Sequence, residues 1–321
     1  MDSSTGSDLI KAWEDGDLTN LEALPFLGSL TDSPFKIGWA HLVSAFPKIG
    51  KTELIHALCM EWLDEHGVAY FTEEDKTTWA KRLLSFKYKP LEKITYYHAL
   101  GEGQDSVMEL LAETEADIVI IDTARLLGIK DENDNSEVHN RLAPVIQFIK
   151  ANAKTLIVVH HRNKRDEVNQ GLEISGAHAF LAIVDVGLII TKANKNEQRR
   201  EIKGYGRIEP VEELIYERLD TGETKLVGHK DEFQLSAVKN RILNEAVDGS
   251  WITTADILAS LNPPPSLRQI QSALRELADE GAVERDPDIS VELVKGKTLK
   301  WKKTTVVSTT KEQEEDDDSN S

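Results

Sequence analysis

Lys51 and Thr52 directly follow a glycine, at a point where the chain changes from a strand pattern to a helix pattern. The segment Pro47-Lys48-Ile49-Gly50 separates an apolar run, Trp39 to Val43, from a helical pattern, Thr52 to His66. In such a strand–loop–helix unit, the backbone N–H groups of the loop and of the helix N-terminus surround phosphate oxygens. We expect Lys51 to contact the β- and γ-phosphates of ATP and the Thr52 hydroxyl to hold Mg²⁺. The predicted nucleotide-binding residues are Ala45, Pro47, Lys48, Ile49, Gly50, Lys51, Thr52 and Glu53.

This loop departs from the usual phosphate-loop pattern at its first position. The full pattern begins with a glycine where this chain has Ala45. Alanine has the smallest Cβ-bearing side chain, so the turn can still form if φ at position 45 is negative. The alternative is a chance Gly-Lys-Thr sequence at a helix start. The surrounding strand and helix favour a nucleotide-binding loop.

Carboxylates follow two other apolar segments. The run Ile118 to Asp122 ends in an aspartate, and the run Val68 to Thr72 is followed by Glu73-Glu74-Asp75. Ligands of α/β sheets bind at the carboxyl ends of the strands, so Asp122 is expected to contact the Mg²⁺. An ordinary aspartate in a turn is the alternative. One of the three acids after Thr72 can orient and deprotonate a water molecule, and Asp75 is the natural helix N-cap.

Strand and helix patterns alternate through the first two thirds of the chain. This alternation predicts an α/β fold with a mostly parallel sheet that is covered on both faces. The predicted strands are His41 to Ala45, Val68 to Thr72, Ile94 to His98, Ile118 to Asp122, Thr155 to His160, and Val184 to Thr191, with a later β-rich part at Arg200 to Lys203 and Leu214 to Leu219. The predicted helices are Glu53 to Glu65, Asp75 to Phe86, Asp105 to Glu113, and Val138 to Asn152.

The pattern changes after about Phe233. Three helices (Val238 to Ala246, Thr253 to Leu261, Leu267 to Glu280) precede two short strands (Ile289 to Val294, Thr298 to Lys302), which is the order of a winged helix. The third helix would be the one that can enter a major groove. The predicted DNA contacts in this part are Arg268, Arg275, Lys295 and Lys297. Trp301 could stack on a base or sugar, or close the small core, and a protein-binding role for this domain is the alternative.

Composition restricts the class of protein. The chain has 321 residues, a formal net charge of −18 and one cysteine, Cys59. A single cysteine excludes an intramolecular disulfide and a cysteine-rich zinc site, and no apolar run is long enough to span a membrane. We expect a soluble, cytoplasmic protein without a membrane partner. The acidic charge argues against nonspecific nucleic-acid binding over the whole surface, but it leaves a local basic channel possible.

In combination, four motifs carry a family resemblance. They are Pro47-Lys48-Ile49-Gly50-Lys51-Thr52, the strand ending in Glu74-Asp75, the strand ending in Asp122-Thr123, and His160-His161-Arg162-Asn163-Lys164, in that order. Together they resemble the RecA-like ATPases of the RepA/DnaB hexameric replicative-helicase type, the plasmid RepA group above all. The resemblance covers roughly residues 23 to 220. It implies a RecA-like P-loop core, ATP and Mg²⁺ as cofactors, and a homo-oligomeric ring, expected to be a hexamer.

The resemblance also implies residue roles. Lys51 and Thr52 would bind phosphate and Mg²⁺, Asp122 would be the second Mg²⁺ contact, and Glu74 would be the catalytic base. His161, or else His160, would be the polar sensor between the γ-phosphate and the DNA loops. A flexible DNA-facing loop would span Arg162 to Phe180 and carry Arg162, Lys164 and Arg165. Arg207 would be an arginine finger that acts in the neighbouring subunit, with Lys203 as its companion and Arg199 and Arg200 as competing candidates.

These observations predict an ATP-hydrolysing motor that acts on DNA, as a replication or mobile-element helicase. Single-stranded DNA would lie in the ring channel, and duplex DNA could bind the winged helix. An ATP-dependent regulatory or loading protein is the first alternative, and a binding module with a degenerate nucleotide site is the second. The predicted domains are a flexible segment (1–22), the RecA-like ATPase domain (23–228), the winged helix (233–303) and a disordered acidic tail (304–321).

Overall fold

The chain forms two compact units, Met1–Lys230 and Asp231–Ser321. The structure is a computed structural model that describes residues 4–16, 22–132, 134–162, 178–193, 198–219, 221–286 and 299–304. Among the helices in these ranges, none is both long and apolar enough to cross a membrane.

In the described residues, the larger unit contains a nine-stranded sheet with helices between its strands. The strands are β1 (Ala40–Ala45), β2 (Val68–Thr72), β3 (Ile94–His98), β4 (Ile118–Asp122), β5 (Thr155–His161), β6 (Val186–Lys192), β7 (Arg199–Gly206), β8 (Val211–Arg218) and β9 (Thr224–His229). The helices are α1 (Gly6–Glu14), α2 (Lys51–Trp62), α3 (Lys76–Leu83), α4 (Gln104–Glu113), α5 (Asn135–Ala151) and α6 (His178–Leu181), with short 3-10 turns at Leu84–Phe86, Leu91–Lys93 and Ala124–Leu127.

The strand order is β3-β2-β4-β5-β1-β6-β7-β8-β9. All pairs from β3 to β6 are parallel, and β7, β8 and β9 extend the sheet antiparallel. Parallel strands align their carboxyl ends along one edge, so the segments that follow β1, β2, β4 and β5 meet there. The predicted α/β class with a mostly parallel sheet is confirmed.

The sheet is buried on both faces because alternate residues of its central strands enter two separate cores. In β4, Ile118 and Ile120 pack with α2 and α3, whereas Val119 and Ile121 pack with α4 and α5. The first core also takes Phe26 and the other apolar residues of the segment that leads into β1. Packing on both faces holds the strands in place, and it therefore fixes where the residues at the strand ends lie.

Most predicted elements lie within two or three residues of those observed. The bounds of β2, β3 and β4 match the prediction residue for residue. The strand β9 was missed, since its short sequence contains one glycine and one lysine among few apolar residues. Helix α5 begins at Asn135, three residues before the predicted start, because Asp134 caps it through the backbone N–H groups of Ser136 and Glu137.

The smaller unit has a core of its own. Its elements are α7 (Lys230–Arg241), a π-helical turn (Ile242–Ala246), β10 (Ile252–Thr253), α8 (Thr254–Ser260), α9 (Leu267–Asp279), β11 (Val283–Arg285) and β12 (Lys300–Lys303). The three strands pair antiparallel in the order β10-β12-β11. Ser266 begins α9 with a capping box to Gln269, and Ile270, Leu274 and Leu277 enter the core.

Several details of the smaller unit differ from the prediction. Helix α7 begins at Lys230, whereas the prediction placed its start at Val238. The prediction missed the first turns because they are polar and show no apolar period. β11 lies at Val283–Arg285, and the predicted strand Ile289 to Val294 lies outside the described residues. Leu267 is exposed rather than part of the apolar face. Trp301 lies in the small core and its indole N–H donates to Thr254. That this unit is a winged helix stays a prediction.

Candidate functional site

The loop between β1 and α2 has the backbone that its sequence predicts. Gly50 has φ 102° at the N-cap of α2, a left-handed conformation that glycine adopts without steric cost. Lys48 is also left-handed, with φ 64°. Ala45 is the last residue of β1, is fully buried, and is not among the residues of positive φ. The alanine therefore fits a position at which this fold makes no demand for glycine.

Lys51 folds back over this loop. Its Nζ donates to the carbonyl oxygens of Ala45 at 3.3 Å and Phe46 at 3.4 Å, and it lies 2.9 Å from Nδ1 of His161. Burial lowers the pKa of Lys51 to about 8, against a smaller opposing effect of Asp122. Among the described residues, the hydrogen-bond partners of this ammonium group are two carbonyl oxygens and an imidazole, which compensate its charge poorly. An anion bound at the loop would therefore stabilise it.

Thr52, in the first turn of α2, lies beside Asp122, the last residue of β4. The Thr52 hydroxyl donates to Asp122 Oδ2 at 3.0 Å, and the Tyr70 hydroxyl donates to the same oxygen at 2.8 Å. Burial raises the pKa of Asp122, and these two hydrogen bonds oppose the shift. The peptide bond between Asp122 and Thr123 is cis.

The donor set at this point fits Mg²⁺. Proteins commonly bind Mg²⁺ through one or two carboxylates together with the phosphates of the substrate. Thr52 and Asp122 supply two hard oxygen ligands beside the loop. In the described ranges, no cluster of three or more His, Cys, Asp or Glu side chains could hold a metal by itself. The residues therefore suit a metal that is shared with nucleotide phosphates.

The three acids after β2 have different partners. Asp75 is the N-cap of α3, as predicted, and accepts from the backbone N–H groups of Thr77 and Thr78. Glu73 accepts a hydrogen bond from Thr123 Oγ1 at 3.0 Å. Both carboxylate oxygens of Glu74 are bound by Arg82, the second at 2.9 Å from Nη2. The guanidinium of Arg82 also lies over the Trp79 ring, 4.9 Å from its centroid.

The adjacent histidines of β5 point in different directions. His161 contacts Lys51, and burial, with a further contribution from Lys51, lowers its pKa to about 4, so it is a neutral acceptor at pH 7. His160 is buried, with Nδ1 3.0 Å from Ser44 Oγ and Nε2 3.2 Å from Glu132 Oε2. Of the two, His161 is the one that faces the phosphate loop.

A cavity of about 580 Å³ opens beside Glu53, the residue that follows Thr52. It lies between α2, α3 and the turn that joins β8 to β9. Its lining is both cationic and polar: Glu53, His56, Ala57, Thr77, Thr78, Lys81, Arg82, Ser85, Phe86, Arg218 and Gly222. A cavity of this size is within the range of pockets that hold small organic ligands.

The candidate arginine fingers lie at opposite ends of the strands: one at the carboxyl ends of the parallel strands, the other at their amino ends. β7 runs antiparallel to β6 and pairs Arg200 with Lys192 at the carboxyl edge, where Arg200 Nε donates to the Ile49 carbonyl at 2.8 Å. Arg207 follows β7 at the amino edge. It is half-exposed, lies 3.8 Å from Asp185 and donates to the Val184 carbonyl. Lys203 lies between them on β7.

The predicted nucleic-acid contacts divide into three groups. Arg162 is buried and stacks over Phe46 of the phosphate loop, with its guanidinium carbon 4.9 Å from the ring centroid. Arg268 and Arg275 are exposed on α9. Lys164, Arg165, Lys295 and Lys297 lie outside the described residues. The assignment of these residues to DNA stays a prediction.

Sequence reasoning missed Tyr70 and Arg82, which hold the two carboxylates of the site. A signal existed for Tyr70. It lies two residues before Thr72, the end of the strand, and alternate residues of a strand point to the same face of the sheet. The adjacency of β2 and β4, which brings Tyr70 to Asp122, is not encoded in either strand. No specific signal pointed to Arg82, which lies on a helix eight residues after Glu74.

Comparison with known proteins supports this architecture. Residues 34–167 match a family model described as "AAA domain". A solved ATPase domain is similar with a TM-score of 0.57 and 14% identity, over 70% of this chain and 99% of that one. A solved DnaB-like replicative helicase, described together with its interactions with primase, is similar with a TM-score of 0.56 and 15% identity, over 70% of this chain and 67% of that one. No curated protein matches this sequence.

At such identities the likeness establishes the fold. One matched structure is an ATPase domain and the other is a DnaB-like replicative helicase. The resemblance to RepA/DnaB-type proteins that the motifs predicted is thereby confirmed at the level of the fold. The chain has the RecA-like α/β fold of the DnaB-like helicase ATPase domains.

Proposed function

We propose that this chain is an ATPase that works as a DNA-dependent motor of the replicative-helicase type, in a homo-oligomeric ring. The observation that carries the proposal is the convergence of four strand ends on one edge of the sheet. There Lys51, the Thr52–Asp122 pair and His161 meet around the loop after β1, and Glu74 follows β2, the strand that pairs with β4. These residue types supply a phosphate cradle, a metal contact, a base and a sensor.

Nucleotide binding would use the loop and the neighbouring cavity. The backbone N–H groups at the start of α2 and the Lys51 ammonium would hold the phosphates. Thr52 and Asp122 would hold Mg²⁺, which when bound neutralises charge on the β- and γ-phosphate oxygens. The cavity next to Glu53 would take the nucleoside, since its volume of about 580 Å³ suits a small organic ligand and it adjoins the start of α2 on the side of α3.

Glu74 would deprotonate the attacking water. Its carboxylate is held by Arg82 through both oxygens, which fixes its orientation. One carboxylate oxygen has a second lone pair even when it accepts from arginine, so a water molecule can still donate to it. His161, neutral and bound to Lys51, would respond when a γ-phosphate competes for the lysine.

The ring part of the proposal depends on Arg207. This side chain lies at the amino edge, opposite its own phosphate loop, so it could stabilise a transition state only in a neighbouring subunit. Half of its surface is exposed. An arginine supplied in trans can increase a phosphoryl-transfer rate by about 10³-fold or more.

The base assignment is tested by comparing E74Q with E73Q. Loss of a general base costs about 10²–10⁴-fold in rate, so E74Q should lose at least about a hundredfold in ATP turnover while binding ATP as the parent does. E73Q removes the negative charge of Glu73 but keeps an oxygen that can accept from Thr123, so it should retain most of the activity. Parental turnover by E74Q would refute the assignment.

The shared site is tested by mixing two inactive variants. R207A subunits keep Glu74, and E74Q subunits keep Arg207. In a ring with heterologous interfaces, random mixing in equal amounts gives about a quarter of interfaces with one intact set of residues, so activity should reappear. R141A, which loses an arginine bound to Gln104, is the control for loss of an arginine. Failure of the mixture to recover activity would refute action in trans.

The role of DNA is tested by the ATPase rate with and without single-stranded DNA over a protein dilution series. A motor predicts stimulation by DNA and loss of activity on dilution. A rate that changes neither with DNA nor with protein concentration would favour the alternative, an ATP-dependent loading or regulatory protein. In that case the exposed arginines Arg268 and Arg275 of the smaller unit would become the first residues to test for DNA or partner binding.

A further inference from the structure

Tyr70 occupies an unusual place for a tyrosine. It lies in the middle of β2 and is fully buried, yet its hydroxyl reaches the strand end of β4 and donates to Asp122 Oδ2 at 2.8 Å. Thr52 donates to the same oxygen at 3.0 Å. A buried carboxylate oxygen that accepts from two hydroxyls is strongly fixed in position, because charge-assisted hydrogen bonds are the stronger ones.

The Tyr70 ring is itself held rigidly. Trp79 packs on it edge to face with centroids 4.7 Å apart, and Tyr96 lies 5.5 Å away. Trp79 is fixed in turn by a hydrogen bond from its indole N–H to Thr72 Oγ1 at 3.1 Å. A ring so enclosed has one orientation available, so its hydroxyl acts as a stationary donor.

The hydroxyls of Thr52 and Tyr70 both donate to the carboxylate of Asp122, so the direction of each hydrogen bond is known. Thr52 gives its one hydroxyl hydrogen to Asp122, so the lone pairs of its oxygen are what it can offer a cation. Tyr70 can serve only as a donor to this carboxylate at neutral pH, since a carboxylate has no hydrogen to give. Because Tyr70 is fully buried, its phenol contacts the carboxylate from the interior of the protein.

We propose that Tyr70 is a positioning residue that orients Asp122 for the Mg²⁺ of the bound nucleotide. This inference rests on the proposed nucleotide site, and it assigns to a buried residue of β2 the role of supporting a metal contact of β4. Outer partners of metal-binding side chains commonly affect metal affinity by about 10–100-fold. The Tyr70 hydroxyl should thus affect metal affinity without affecting the affinity for nucleotide alone.

The chain offers a matched control in Tyr96. Its ring lies in the same aromatic cluster, 4.5 Å from Trp79, and its hydroxyl has no hydrogen-bond partner among the described residues. Y70F and Y96F each remove one phenol oxygen from this cluster. Only Y70F removes a donor to Asp122.

The experiment measures Mn²⁺ binding by electron paramagnetic resonance in the presence of ADP, and binding of a fluorescent ADP analogue in EDTA. Y70F should raise the half-saturating Mn²⁺ concentration about 10-fold and leave the EDTA affinity within twofold, whereas Y96F should match the parent in both. In a D122N background, Y70F should have no further effect on Mn²⁺ affinity, since the coupled partner is already changed.

The outcomes separate the two proposals. A parent that binds no ADP analogue would refute the nucleotide site itself. A parent that binds metal and nucleotide, with Y70F equal to Y96F, would refute the role of Tyr70 alone. If Y70F does not fold, parental Mn²⁺ affinity in a Y70M variant, whose side chain has no hydrogen-bond donor for Asp122, would overturn the role.

Discussion

His41 gives a prediction that tests the core at the amino end of β1. It lies on β1 and is fully buried, with its ring against Phe35. Nε2 accepts from the Lys36 backbone N–H at 3.0 Å, so Nδ1 carries the hydrogen and donates to the Leu156 carbonyl at 3.1 Å. Protonation would require the Lys36 N–H to face a second N–H group. Burial lowers the pKa of His41 to about 4 from its ordinary 6.5.

The size and sign of the effect follow from this shift. A folded-state pKa below the unfolded one means that the unfolded chain binds the proton more readily, so stability falls as the pH falls. The contribution is fully present above pH 6.5 and is lost as the pH falls towards 4. At about 1.4 kcal/mol for each pH unit, the loss is about 3 kcal/mol of unfolding free energy.

The assay compares urea unfolding of the parent and of H41Q at pH 7.5 and pH 4.5. Glutamine stays neutral, so the stability advantage of the parent over H41Q should shrink by about 2–3 kcal/mol between the two values. The comparison between the parent and H41Q cancels the contributions of other titrating groups to stability. One of these is His56, because burial lowers its pKa to about 4 as well. H139Q changes an exposed histidine of α5 and is the control. A constant difference between parent and H41Q across this range would refute the reasoning.

Two further substitutions test the backbone around the sheet. A45G restores the usual phosphate-loop glycine, but because Ala45 is a buried strand residue without positive φ, we expect about 1 kcal/mol lower unfolding free energy and unchanged ATP affinity; clearly tighter ATP binding by A45G would contradict this. G204A would place a Cβ 2.4 Å from the Gly187 carbonyl oxygen and 2.8 Å from Leu188, so urea unfolding should show a loss of about 1–3 kcal/mol. G103A, at an open position, is its control, and a G204A variant as stable as G103A would show that β6 and β7 can separate at little cost.

The strands that carry the site could be predicted closely from the sequence. β2 and β4 are short apolar runs that end at polar residues, and such runs have few ways to be buried other than as central parallel strands. Elements with weak apolar patterns could not be placed, as β9 and the first turns of α7 demonstrate. Their positions depend on pairing and capping partners elsewhere in the chain.

The phosphate loop, the aspartate at the end of β4 and the fold class can be identified from the amino-acid pattern alone, because each depends on local spacing and on apolar periodicity. Which side chains support these groups is known only from the three-dimensional fold. Tyr70 meets Asp122, Arg82 holds Glu74, and Arg207 lies at the edge opposite Lys51. These relations depend on strand order and helix rotation, which arise when separate segments pack into one core, and no local pattern encodes them.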